Sequence, residues 1–295
     1  MSQEILYFSY SFDAAVDIPG QEDVFAVDPD SGAVRRLTDD SSGLDFVSDR
    51  DPAWSPDRTK VAIHRAVSNN SPTVVVLDAA TGDDLQVVAE GVGPVWLSDD
   101  RLVFRAAYDE RKILASTLVG EVAELLLLPD GGYVQGLTWH PEQGLAFGYY
   151  DPGENPGMIG VVSAARVEEA LSTGTGATLD DVVLVGRIGA GVVEPAWHPD
   201  GTRLAVSSYD PASGSPADTA VGIFDLQHRT YRRIVTPADG LVTAFASWSP
   251  DGTRLVFTRG EEDRWTELWL YDLATGSLAQ LTDDHRVRFK SAPDW

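Results

Sequence analysis

Residues 246–260 read ASWSPDGTRLVFTRG, and the same phrase recurs along the chain as DPAWSPDRTKVAIHR (51–65), GPVWLSDDRLVFRA (93–106), GLTWHPEQGLAFGYY (136–150), EPAWHPDGTRLAVSSY (194–209) and SAPDW (291–295). The repeat tryptophans are Trp54, Trp96, Trp139, Trp197, Trp248 and Trp295, separated by 42, 43, 58, 51 and 47 residues. Self-similarity at a period of roughly 40–50 residues is the signature of a propeller built from four-stranded blades. Ser-Pro-Asp-Gly suits a tight turn, because Pro presets φ at its second position and Gly tolerates the last. The apolar run after each turn, such as Leu255-Val256-Phe257, reads as a buried strand. Strands A and B of a blade follow.

A second phrase completes the blade: DVFAVDPDSGAVRRLT (23–38), TVVVLDAATGDDLQVV (73–88), AVGIFDLQHRTYRRIV (220–235) and ELWLYDLATGSLAQLT (267–282). Asp-x-x-Ser/Thr-Gly between apolar runs is a hairpin signal, which gives strands C and D. The last Trp copy supplies only a strand A, while ILYFSY (5–10), DVFAV (23–27) and AVRRL (33–37) supply B, C and D with no A before them. The expectation is an all-β, six-bladed β-propeller of four antiparallel strands per blade, one domain over 1–295. Its closing blade is split between 1–38 and 289–295, and the ring closes by pairing the C-terminal strand A with the N-terminal strands, which removes a free edge. An insertion at 163–181 interrupts the third blade; its ARVEEAL predicts a short helix, and it reads as a tolerated surface insertion ahead of a partner-specific patch.

The Trp phrase followed by Asp-x-x-Thr-Gly and Leu-Thr resembles the WD40-like repeat of TolB-type propellers, also seen in the propeller domains of prolyl oligopeptidase-like peptidases and the tricorn protease. The resemblance covers essentially the whole chain and implies the propeller itself. Leu97-Ser98-Asp99-Asp100 departs from the turn motif, and His140 and His198 stand where the motif has Ser. Neither the α/β domain of TolB proteins nor the hydrolase domain of the peptidases is expected within these 295 residues. The resemblance therefore implies partner binding ahead of peptidase activity, because one fold hosts many functions.

Composition narrows the chemistry. The chain has no cysteine, so thiol nucleophiles and Cys-ligated metals are excluded. The net charge is −24, with 32 Asp among 46 acids and 19 Arg among 22 bases. Such a field repels nucleic-acid phosphates and anionic membranes, so neither is an expected partner. No apolar run reaches the roughly 20 residues that span a bilayer, and MSQEILYFSYSF is not a secretory signal. The default address is cytoplasmic, or periplasmic or extracellular if the chain is a trimmed mature form, and the protein is expected to be monomeric.

Sites follow from the blade geometry. Long B–C loops fall at Ser11–Glu22, Val67–Pro72, Asp151–Gly157, Asp210–Asp218 and Gly260–Arg264, which makes that face and the channel mouth the candidate binding surface. Residues ahead of the tryptophans enter the channel there: Asp49, Arg50, Asp51, Glu194, Arg288 and Lys290. Asp49, Asp51 and Glu194 are the candidate oxygen ligands for Ca²⁺ or another hard divalent cation. Tyr108-Asp109, Tyr150-Asp151 and Tyr209-Asp210 end B strands as an aromatic and acidic rim suited to a peptide or a sugar. No catalytic residue is assigned, since neither H-E-x-x-H nor G-x-S-x-G occurs. The leading reading is a non-enzymatic scaffold for a protein or peptide. The alternatives are a metal-dependent carbohydrate-active, hydrolase- or lyase-type propeller with an Asp/Glu cluster at the axis, and a propeller that gates a separate enzyme subunit.

Overall fold

A computed structural model describes residues 3–11, 21–39, 46–68, 70–151, 155–187, 191–209, 219–235, 241–261, 265–283 and 287–295. The described chain is all-β apart from one helix and a short 3-10 turn, and it is organised in four-stranded antiparallel units. Each unit opens with a strand that carries the Trp phrase. These A strands are Val47–Trp54, Val92–Ser98, Tyr133–His140, Gly191–Trp197, Leu241–Trp248 and Val287–Asp294. The last pairs antiparallel with Ile5–Ser11, with Leu6 opposite Asp294 and Phe8 opposite Ser291. Ile5–Ser11 continues to Gln21–Val27 and Val34–Arg36, so the two ends of the chain build one unit together. A single parallel bridge, Glu22 opposite Ser48, joins that unit to the next.

Turn chemistry is what the motifs dictate. Asp251 accepts from the Ser249 hydroxyl at 2.6 Å and from the Thr253 amide at 3.0 Å, and Asp57 does the same between Ser55 and Thr59. Asp28, Asp78 and Asp272 each accept the amide of the Ser or Thr three residues on, at 2.7–2.9 Å, ahead of glycines at φ of 70°, 79° and 69°. Thr38 and Thr282, each closing a Leu-Thr pair, accept the amides of Val24 and Leu268 at 3.0 Å and so tie the end of strand D to strand C.

Contacts between units are both apolar and directed. Trp96, Trp197, Trp248 and Trp295 are buried. Indole N–H groups reach back one unit: Trp54 donates to the Glu4 carbonyl at 3.1 Å, Trp96 to Ala53 at 3.0 Å, Trp197 to Gly144 at 3.0 Å and Trp248 to Ala196 at 3.1 Å. The two histidines that replace Ser serve the same purpose on the other side of the turn. His140 takes the Glu142 amide on Nδ1 at 3.2 Å, so Nε2 carries the proton, and it donates to the Pro199 carbonyl of the next unit at 3.2 Å. His198 approaches the Gly252 carbonyl at 3.1 Å, and its ring stands edge-on to Trp248.

The insertion departs from the sequence expectation. Ala164–Thr173 is a helix, capped by Ser163 at its start and by left-handed Gly174 at its end, but it is no surface ornament. Val167 and Ala170 enter the core shared by the second and third units. Ala177 donates to Leu125 at 2.7 Å and accepts from Leu127 at 3.2 Å, which covers the outer strand Val122–Leu127. An edge strand left bare would offer unpaired backbone groups, and here the neighbouring unit covers it.

Two measurements check this account. Deleting residues 290–295 removes Trp295 from a cluster with Ile5, Tyr7, Phe25 and Leu268, and the Trp alone is worth about 3–5 kcal/mol. Urea denaturation should therefore show a collapse in stability; a truncation as stable as the full chain would refute the pairing of the two ends. In Gly252→Ala, a Cβ on a backbone at φ +68° would lie 2.3 Å from His198 Nε2, a loss of about 1–3 kcal/mol in the same assay.

Candidate functional site

Every A strand carries the same irregularity. Three residues before each repeat Trp the backbone is left-handed: Asp51 at φ 48°, Gly93 at 61°, Gly136 at 54°, Glu194 at 52°, Phe245 at 55° and Ala292 at 45°. The pairing register slips at each of these points, so each is a β-bulge. Four of the next residues are proline, Pro52, Pro94, Pro195 and Pro293, where a missing amide costs no ladder bond. A left-handed non-glycine residue costs of order 1 kcal/mol or more, and four of the six positions bear that strain.

The six bulges and the segments leading to the tryptophans enclose one cavity of about 540 Å³, contributed to by all six A strands. Its wall continues to Pro56, Arg58, Pro199 and Pro250, so the described cavity runs toward the A–B turns and away from the side on which the long B–C loops were expected to act. Parts of those loops, 12–20, 152–154, 210–218 and 262–264, lie outside the described residues.

Charged side chains line this cavity in two groups, Asp51, Arg105 and Glu194 at the bulges, and Arg58 with Asp294 toward the first A–B turn. Glycine at 93 and 136 leaves room for the first group. A Cβ on Gly93 would sit 3.8 Å from Asp51 Oδ2 and 3.6 Å from Arg105 Nε, and one on Gly136 would strike Glu194 Cγ at 2.6 Å. Asp51 and Glu194 therefore lean over the two glycines from either side, with the Arg105 guanidinium between the same strands. His64 Nδ1 is 3.0 Å from Asp51 Oδ2. Burial would raise the Asp51 carboxyl, but His64, Arg105 and Arg50 outweigh it and hold it below the ordinary value. Glu194 goes the other way: burial first, and then the negative charge of Asp51, push it up to about 8 against the pull of Arg105. Opposite this group the bulge positions are Phe245 and Ala292.

Comparison with known proteins fits this architecture. Tol-Pal system protein TolB of Anaeromyxobacter dehalogenans strain 2CP-1 and that of Anaeromyxobacter sp. strain K are each 32% identical to the chain over 104 residues, 35% of this chain and 21% of theirs. TolB from Acinetobacter baumannii superposes with a TM-score of 0.71 at 17% identity, covering 99% of this chain and 66% of that one. The chain thus resembles TolB-type β-propellers, in fold over nearly its whole length and in sequence over about a third of it. A family model for the dipeptidyl peptidase IV N-terminal region also matches residues 198–295. An oligogalacturonate lyase in complex with manganese superposes at a TM-score of 0.56, with 17% identity over 94% of this chain and 72% of its own. The matched stretch is about a fifth of the length of the curated TolB relatives.

The propeller disperses most of the residues singled out from sequence. Asp49 is fully buried and takes a two-pronged bond from Arg65, at 2.7 and 2.8 Å, away from Asp51. Arg50 donates to Glu22, which also accepts from Ser48. Lys290, 1% exposed, pairs with buried Glu267 at 2.8 Å and offers nothing to a channel mouth. Tyr108 is 74% exposed and lines a shallow depression with Asp109, Arg111 and Tyr133, where Asp109 is held low by Arg111 at 2.9 Å. The Tyr150 ring lies 4.7 Å from Tyr133, and Asp151 closes the strand opposite Asn155. Asp210 and the side chains of Tyr209 and Arg288 lie outside the described residues.

Of the expected set, Asp51 and Glu194 alone among the described residues face the cavity together. Arg105, His64 and Phe245 escaped notice, although the column three residues ahead of each Trp would have revealed Phe245. Among the described residues no group of three or more His, Asp or Glu side chains could hold a metal ion, so the set Asp49, Asp51 and Glu194 does not fit a manganese or calcium site.

The raised carboxyl of Glu194 has a stability consequence. Between about pH 4.5 and 8 the unfolded chain has released this proton and the folded chain retains it, so stability falls as pH rises through that window. Glu194→Gln removes the dependence and should stabilise the protein at pH 7.5, relative to pH 4.5, by about 1 kcal/mol or more. Parallel urea titrations of both proteins at the two pH values check it; equal pH slopes would contradict the assignment.

Proposed function

We propose that this chain is a non-enzymatic, monomeric six-bladed propeller, its ring closed by the unit that both chain ends share, and that its channel receives a segment of a protein or peptide partner. The observation that carries the reading is the cavity lined by all six A strands, asymmetric in charge and floored by strained bulges. Strain of this kind persists where surrounding structure holds a site in shape. Packing between successive A strands, with Val287–Asp294 against both Leu241–Trp248 and Val47–Trp54, supports the ring. So does the bond from the Trp54 amide to Asp294 across the seam, at 2.7 Å. The TolB relatives belong by name to the Tol-Pal system, which favours a protein partner and a periplasmic address over the cytoplasmic default. No described helix is long and apolar enough to cross a membrane.

The lyase likeness, at 17% identity, extends to the fold. A random peptide library displayed on phage and panned over the immobilised chain tests the binding reading. Recovered peptides should bind the wild type and lose at least tenfold in affinity against Pro199→Trp or Pro250→Trp, which crowd the exposed mouth of the cavity. Recovery of no binder, or binders indifferent to both variants, would reject it; product release from oligogalacturonate would favour the lyase alternative.

A further inference from the structure

Three A–B turns share one geometry, and one of them lacks its glycine. His198-Pro199-Asp200-Gly201-Thr202 and Ser249-Pro250-Asp251-Gly252-Thr253 place their glycines at φ 69° and 68°, whereas Ser55-Pro56-Asp57-Arg58-Thr59 puts Arg58 at φ 57°. Any side chain is strained on such a backbone, and strain of this kind persists where the surrounding structure holds it in place. Gly201 and Gly252 leave room for His140 and His198 of the preceding unit, whose rings a Cβ would crowd. Ahead of the first unit lies the unit built from both chain ends, and what Arg58 meets there is the Glu4 carbonyl.

Arg58 stands where that unit is closed. Its Nη2 donates to the Glu4 carbonyl at 2.6 Å, its guanidinium lies 4.5 Å from the centre of the Trp54 ring, and the same carbonyl accepts the Trp54 indole N–H at 3.1 Å. Glu4 directly precedes the first strand, Ile5–Ser11. On the last strand, Val287–Asp294, Asp294 takes the Trp54 amide on Oδ2 at 2.7 Å. Burial lowers the Arg58 guanidinium from its ordinary value, and the charges of Asp294 and then Glu4 oppose it. The Glu4 carboxylate also pairs with Arg35 at 2.9 Å, and Arg35 Nη2 donates onward to the Ala79 carbonyl of the first unit at 3.0 Å. The first unit thus grips both ends of the chain at one corner. Those ends need a hold, because Val287–Asp294 and Ile5–Ser11 meet by pairing alone, with two register shifts, and no turn joins them.

We propose that Arg58 is the clasp of the ring: its left-handed backbone is retained because the guanidinium, seated on Trp54, holds the first and last strands against the first unit. Arginine suits the place, since a planar cation stacks on an indole face while donating within its own plane. Arg58, Trp54 and Asp294 also line the cavity, so the clasp is part of the channel wall. A pair of strands held by pairing and one corner opens locally, without unfolding the units whose strands are joined by turns.

Hydrogen exchange followed by mass spectrometry on the full chain tests this. Arg58→Gly relieves the backbone and removes the clasp, and Arg58→Lys keeps the strain and a donor but loses the planar stack. Peptides covering Ile5–Ser11 and Val287–Asp294 report on the seam, and those covering Arg203–Tyr209 report on a unit away from it. In Arg58→Gly the seam should exchange roughly tenfold faster or more, while Arg203–Tyr209 changes by less than about twofold; Arg58→Lys should fall between wild type and Arg58→Gly. Seam exchange that is unchanged or slower in Arg58→Gly leaves the residue with strain alone, and equal acceleration in both regions is a general loss of stability. Either result, or an Arg58→Lys seam that exchanges like wild type, overturns the clasp.

Discussion

One constraint organises this molecule: three residues before each repeat tryptophan the backbone turns left-handed and the strand bulges. The bulge adds one residue to the A strand, and a single added residue reverses which face every later side chain occupies. That reversal sends the bulge residue toward the axis and buries the proline that follows it in four units. It also sets the indole at the junction with the preceding unit, where its N–H finds a carbonyl. Channel lining and inter-unit packing are thus two results of one local distortion. The strain is borne by cooperative burial, since each Trp is held by two units at once.

The proposed function rests on what the bulge positions hold. In a packed core a one-methylene change is felt, and the bulge positions also constrain one another: the room left by Gly136 is taken by Glu194, and that beside Gly93 by Arg105 and Asp51. The six positions, one per unit, hold acid, glycine, phenylalanine and alanine within one frame. The fold is uniform and the lining is individual. The TolB-like frame is shared with proteins of unlike chemistry, including a manganese-containing lyase. The individuality has to be sought in these side chains.

Much of the fold was legible because its determinants are local. The Asp-x-x-Ser/Thr-Gly hairpins make their own hydrogen bonds within four residues, as Asp272 and Thr275 do at 2.8 Å, so their sequence is enough to specify them. The insertion at 163–181 was less legible. Its helix and caps are local, but Val167 and Ala177 find partners about 40 to 60 residues away in the sequence, and nothing in ARVEEAL names them. His140 and His198 likewise read as departures from a turn motif, whereas they bridge to the next unit through Nε2.

The site shows the same division more sharply. From strand alternation Asp49 and Asp51 belong on one face, two residues apart, and an acidic cluster at the axis is the natural expectation. The bulge at Asp51 breaks the alternation, so Asp49 turns to Arg65 inside the sheet and Asp51 faces the channel; Lys290 and Ala292 divide in the same way. The amino-acid sequence alone determined the repeat, its turns and the residue at each lining position, because period and turn chemistry are short-range properties. Tertiary structure decided which of those residues meet, since Asp51, Arg105 and Glu194 come from three units and share a cavity only when the units are packed around it.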